Sequence, residues 1–178
     1  MRKETIFDGA ATIEIPDNYV RWNTSGIPRA NQTNDSDDGN KEPDPIVSWM
    51  AHGALFRFRD TAYISGIIFD RPWPGNGLDK RLDEYYRTAM RSLPMVRNAE
   101  IATRPIPDGD ANLEIGMLQY TFATPTQDWF ACVALLPAKA QEAAIMMICK
   151  LDHAIVGATE FMTIADSIAP EWIETEQE

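Results

Sequence analysis

Trp129-Phe130-Ala131-Cys132-Val133-Ala134-Leu135-Leu136 and Ala143-Ala144-Ile145-Met146-Met147-Ile148-Cys149-Lys150-Leu151, separated by Pro137–Glu142, decide the fold class. Both runs have strand length and almost no polar alternation. That pattern belongs to central strands covered on both faces. A hairpin centred near residue 140 sets Cys132 opposite residue 148 or 149, which makes the two thiols neighbours. Directly after the second run, Gly157, Phe161, Ile164, Ala165 and Ile168 recur at helical spacing. They predict a helix over roughly 153–169, with Asp152 as its cap.

Working back toward the N-terminus, 96–106 and 111–124 read as strands joined by the turn Pro107-Asp108-Gly109-Asp110. Leu113, Ile115 and Met117 share one parity, whereas Leu118, Tyr120 and Phe122 share the other, which predicts a bulge or bend near Gly116–Leu118. Leu78, Leu82, Tyr85, Tyr86, Ala89 and Leu93 form the apolar stripe of a helix over 78–93, with Asn76 as N-cap and Pro94 as stop. Ile46–Arg59 and Ala62–Arg71 read as strands, stopped by Pro72-Trp73-Pro74-Gly75. In the first of them Phe56 and Phe58 alternate with Arg57 and Arg59, giving one apolar and one cationic face. Thr5–Ile15 reads as the first strand, and 22–45 has loop composition. Adjacent strands with few helices give an α+β fold: a mostly antiparallel sheet of about six to seven strands, flanked by two main helices. The expected organisation is a single domain over 1–170, with a long polar loop at 22–45 and an acidic C-terminal tail at 171–178.

The net charge is −11. Residues 31–45 hold Asp35, Asp37, Asp38, Glu42 and Asp44 against Lys41. Residues 151–178 hold Asp152, Glu160, Asp166, Glu171, Glu174, Glu176 and Glu178 and no Lys or Arg. Those two segments account for the whole imbalance. A neutral body with acidic appendages argues against nucleic acid and against an anionic membrane, both of which need a basic face. No apolar run reaches the roughly 18 residues of a membrane span, and Met1–Asp8 opens no apolar leader core. The expected location is the cytoplasm.

Catalytic and metal signatures are sought and not found. His52 and His153 are the two histidines, and Gly-x-Ser-x-Gly is absent. Cys149 and His153 straddle a strand–helix junction and read as a buried thiol and a polar helix start. Cys132, Cys149 and the histidines lack the short-spaced pairing of a zinc site. Asn34–Gly39 resembles the start of a calcium loop, but Pro45 stands where a bidentate Glu is needed. No catalytic residue, metal or cofactor is therefore expected. Trp129 is expected in the core. Trp22, Trp73 and Trp172 sit in or beside predicted loops and ends, where tryptophan serves as an interface anchor or covers its own core. Together with Arg57 and Arg59 they are the candidate binding residues.

Phe7-Asp8-Gly9, followed by Ile13-Glu14-Ile15-Pro16-Asp17-Asn18-Tyr19, resembles the opening of the PsbP-like superfamily. The order of later elements, ending in Phe161-Met162-Thr163-Ile164-Ala165-Asp166-Ser167-Ile168, is similar too. The resemblance implies an α/β/α sandwich around an antiparallel sheet. The superfamily includes a photosystem II extrinsic subunit, a Ran-binding nuclear transport factor, bacterial lipoproteins and effector-associated chaperones of type VI secretion. It implies a scaffold used mainly for protein binding and transfers no site residues. The leading expectation is a non-enzymatic domain that binds another protein, as a secretion-associated chaperone or adaptor. The alternatives are a toxin-neutralising immunity protein acting through its acids, and a small-molecule binder or enzyme with a pocket between helix 78–93 and the sheet.

Overall fold

The computed structural model describes residues 1–22, 46–54, 61–106 and 113–170. The rest of the 22–45 loop, Arg57, Arg59, the 107–110 turn and the 171–178 tail lie outside the described residues. The strands are β1 (Arg2–Ile6), β2 (Ala11–Ile15), β3 (Val20–Trp22), β4 (Ile46–Ala54), β5 (Thr61–Pro72), β6 (Arg97–Pro105), β7 (Glu114–Ala123), β8 (Asp128–Ala138), β9 (Gln141–Lys150) and β10 (Ala169–Pro170). The helices are α1 (Leu78–Ser92) and α2 (Ala154–Asp166).

The β8–β9 hairpin is the centre of the molecule. It pairs from Trp129↔Lys150 to Ala138↔Gln141 and turns through Lys139, at φ 57°, and Ala140. Because the loop is only two residues long, Cys132 stands opposite Met147, one place from the expected partner. Phe130, Cys132, Ala134 and Leu136 enter one core, and Ala131, Val133 and Leu135 enter the other. Burial on both faces is why the sequence shows no alternation there.

Around this hairpin the sheet runs β3-β4-β5-β9-β8-β7-β6, antiparallel throughout. A second sheet runs β1-β2-β10. α1 packs on β6 and β7, with Leu78 and Leu82 set against Phe69, Leu118, Tyr120, Val133 and Leu135. On the opposite face, α2 and the small sheet bury Ile6, Ile13, Ile15, Phe161, Ile164 and Ile168 against Ile64, Ile145 and Met147. The fold class is α+β, as expected. Every member of the α2 stripe is buried.

Four local expectations change. The expected strand over 5–15 is a hairpin of β1 and β2, because Phe7, Asp8 and Gly9 all take positive φ and reverse the chain. Asp-Gly tolerates that geometry, and the Phe7 ring is buried in return. No bulge occurs in the Gly116–Leu118 stretch of β7, which pairs with β8 without a break from Gly116↔Leu135 to Ala123↔Asp128. The change of parity instead marks a strand covered on both faces near its start, with Ile115 in one core and Leu118 in the other. The α1 N-cap is Gly77 rather than Asn76, which falls inside the 3-10 turn Gly75–Gly77. Likewise a 3-10 turn over Leu151–His153 absorbs Asp152 and shifts the α2 N-cap to His153. Unforeseen β10 pairs with β2, and Ser167 Oγ accepts from Glu14 N–H at 2.7 Å, which ties the end of α2 to the small sheet.

Candidate functional site

On the face away from α1, β7 presents Met117 and Gln119. Their cross-strand partners on β6 are Ala102 and Glu100, with Arg104 following opposite Ile115. Residues directly opposite in an antiparallel pair share a face. Ala158, Phe161 and Met162 of α2 form the facing wall, and Cys132 lies in the floor. Together these residues enclose a groove of about 240 Å³. Its floor is apolar and its rim is polar. At one end Gln119 Nε2 donates to Glu100 Oε2, and at the other the Arg104 guanidinium pairs with Asp166. Met162 is 39% exposed on the rim, and Ile155, two turns earlier on α2, is 86% exposed. The volume lies below the roughly 300 Å³ at which small-molecule sites begin. It suits one or two apolar side chains.

The thiol in the groove floor is not activated for attack. Burial, reinforced by nearby Cys149, pushes the Cys132 thiol up to about 12, and burial followed by the Glu160 charge pushes Cys149 up to about 11. Both stay protonated at neutral pH, whereas attack requires thiolate. Cys149 Sγ faces the backbone carbonyl of His153 at 4.0 Å.

Two buried polar clusters lie elsewhere. Under α1, the fully buried Glu142 of β9 pairs with Arg71 of β5, and with Arg81 of α1 at 2.8 Å. Arg71 also stacks on Phe69, 4.5 Å from the ring centroid, and Tyr85 meets the same ring edge-on. Desolvation raises the Glu142 carboxyl, with Arg71 and then Arg81 opposing it. Beneath α2, the side chain of the fully buried Tyr19 lies near Glu160, and burial first, with the Glu160 carboxyl second, raises the phenol and holds it protonated. Both clusters join elements across the cores and open onto no described cavity.

Of the predicted binding residues, Trp73 and the backbone of Trp22 fall among the described residues. Trp73 is half-buried against the α1-side core and covers its edge, and its backbone N–H donates to Ala140 O at 3.0 Å. Trp22 ends β3, paired with Met50. Arg57, Arg59 and Trp172 lie outside the described residues. Trp129 is half-buried rather than core, because it stacks on Phe122 at the sheet's end. Between helix 78–93 and the sheet, where the small-molecule alternative needs a pocket, Leu78, Leu82, Leu118 and Tyr120 pack into the core. Of the acids at 151–170, Glu160 is buried and Asp166 is paired with Arg104. The groove residues Glu100, Ala102, Arg104, Met117, Gln119 and Met162 escape the sequence reading. The available signals were the 100/102/104 alternation and a Met162 that lies off the buried stripe.

No protein-family model matches the sequence, and no curated protein matches it. Solved structures do match. LpqN, involved in cell envelope biogenesis of Mycobacterium tuberculosis, aligns over 89% of this chain and 82% of its own, with a TM-score of 0.53 and 10% identity. Cyanobacterial PsbP (CyanoP) from Synechocystis sp. PCC 6803 aligns over 95% of this chain and 91% of its own, with a TM-score of 0.52 and 14% identity. The chain has a PsbP-like fold. The resemblance read from the N-terminal strand pattern and element order therefore holds at the level of fold. Identity this low transfers architecture and no residue roles. In this PsbP-like fold the groove lies between the second helix and the β6 end of the large sheet.

Proposed function

We propose that this chain is a non-enzymatic accessory domain of the cytoplasm, and that it binds another protein through the groove between α2 and β6–β7. The observation that carries the reading is a small apolar floor bounded by a polar rim, with Met162 exposed at its edge. An apolar anchor in a pocket ringed by polar groups is the usual energetic centre of a protein interface. The protonated thiols and the groove's size favour binding over reaction. The finer reading is that of a secretion-associated chaperone or adaptor. The test is cross-linking and capture in the native host with wild type, Met162→Asp, and Met90→Asp as a control on exposed α1. The expected result is a specific partner kept by wild type and Met90→Asp and lost by Met162→Asp. Equal recovery by all three sinks the groove as the binding site.

A further inference from the structure

β6 is the outer strand of the seven-stranded sheet, and no described strand pairs with its far edge. Edge strands carry unpaired N–H and C=O groups, and proteins blunt them with bulges, proline or charge. β6 is blunted at its two ends only. A register shift lies between Arg97 and Glu100, with Asn98 at φ 53°, and Pro105 closes the strand. Between them the straight segment Glu100-Ile101-Ala102-Thr103-Arg104 has four exposed residues in a row, and Ile101 is 43% exposed.

That segment is complementary to itself. Antiparallel pairing of two copies about a twofold axis at Ala102 sets Ala102 opposite Ala102, Ile101 opposite Thr103, and Glu100 opposite Arg104, with both unlike pairs made twice. Moving the axis by one residue either way removes the charge match. We propose that this edge is a homodimer interface, in which a second copy of the chain pairs β6 to β6 and makes one continuous sheet across the seam. A twofold interface uses the same patch on both subunits, and a self-complementary strand meets that requirement. Opposite positions share a face, so Glu100 of each copy meets Arg104 of the other on the α2 side. Each charge already has a neighbour in its own chain, Gln119 for Glu100 and Asp166 for Arg104. Those contacts hold the side chains in place before docking. The edge shares Glu100, Ala102 and Arg104 with the groove, but the proposal is read by self-association and not by capture of another protein.

Sedimentation velocity over a micromolar to near-millimolar concentration series tests it. Wild type should pass from monomer to dimer. Glu100→Arg and Arg104→Glu should each weaken dimerisation roughly tenfold or more, since two cross-strand attractions become repulsions. Mixing those two variants restores opposite charges at both pairs, so the mixture should dimerise better than either alone. The exposed Ala102→Lys, which places two lysines at the axis, should be monomeric with an unchanged circular dichroism spectrum. It serves as the readout where a charge reversal fails to fold. The proposal is overturned by a wild type that stays monomeric throughout, by single variants that dimerise like wild type, or by a mixture no tighter than its components.

Discussion

Cys132 and Cys149 lie on one face of the central hairpin as diagonal neighbours, each two residues along its own strand from the other's cross-strand partner. Burial lifts them to about 12 and about 11. An unfolded thiol ionises near about 8.5, so above that pH the unfolded chain releases protons that the folded chain keeps. Stability contributed by the protonated thiols is therefore fully present below about 8.5 and is lost as pH rises toward the folded values. Each thiol should give a slope of about 1.4 kcal/mol per pH unit in that window. Urea midpoints of wild type and Cys132→Ala between pH 8 and 11 measure the slope, and an identical pH dependence would remove the thiol as its cause. The same burial governs Gly157 of α2, where an added Cβ would sit 2.5 Å from Cys149 Sγ. Gly157→Ala should cost roughly 1–3 kcal/mol through overpacking. In a Cys149→Ala background the sign should reverse, because the clash is gone and alanine is the better helix former by about 1 kcal/mol. A cost that persists in the double variant means the clash is with something other than the sulfur.

Elements are joined here by charge as well as by apolar contact. Glu142 links β9 to β5 through Arg71 and to α1 through Arg81. Glu142→Ala leaves two largely buried guanidiniums facing each other and should cost about 3 kcal/mol, while replacing all three with apolar residues of similar size should recover most of that. Chemical denaturation of the single and triple variants decides it, and a triple variant no better than Glu142→Ala would show that the charges themselves are needed. This pairing was invisible in the sequence, since nothing local marks Glu142 as different from the exposed acids. What was legible were elements with a repeating pattern: the Leu78–Leu93 stripe, the Gly157–Ile168 stripe and the two continuous apolar runs. Boundaries were harder, because 3-10 turns at Gly75–Gly77 and Leu151–His153 displace each N-cap by one residue. Parity misled at Gly116, where burial on both faces looks in one dimension like a slip in register. The groove was illegible for a third reason. Its wall residues come from three strands and a helix, and the Arg104–Asp166 pair at its end spans 62 residues.

Across the whole molecule, one sheet serves two cores. β8 gives Cys132, Ala134 and Leu136 to the α2 side and Ala131, Val133 and Leu135 to the α1 side, so neither core can lose its floor without exposing the other. The chain should therefore unfold as one cooperative unit, with near- and far-ultraviolet circular dichroism tracing the same transition. Cooperative unfolding does not require the two cores to be coupled energetically in the folded state. Leu82 and Ile164 are both fully buried, but they lie on opposite faces and share no core. Leu82→Ala should cost about 2–5 kcal/mol and Ile164→Val about 0.5–1.5 kcal/mol. Residues without shared partners add, so the double variant should equal the sum to within about 0.5 kcal/mol. Urea denaturation of the four proteins closes this cycle. A coupling well above that margin would mean that the strands between the cores shift when either side is emptied. In that case occupancy of the α2-side groove would be felt beneath α1, and a partner seated against Met162 would change the packing around Leu82.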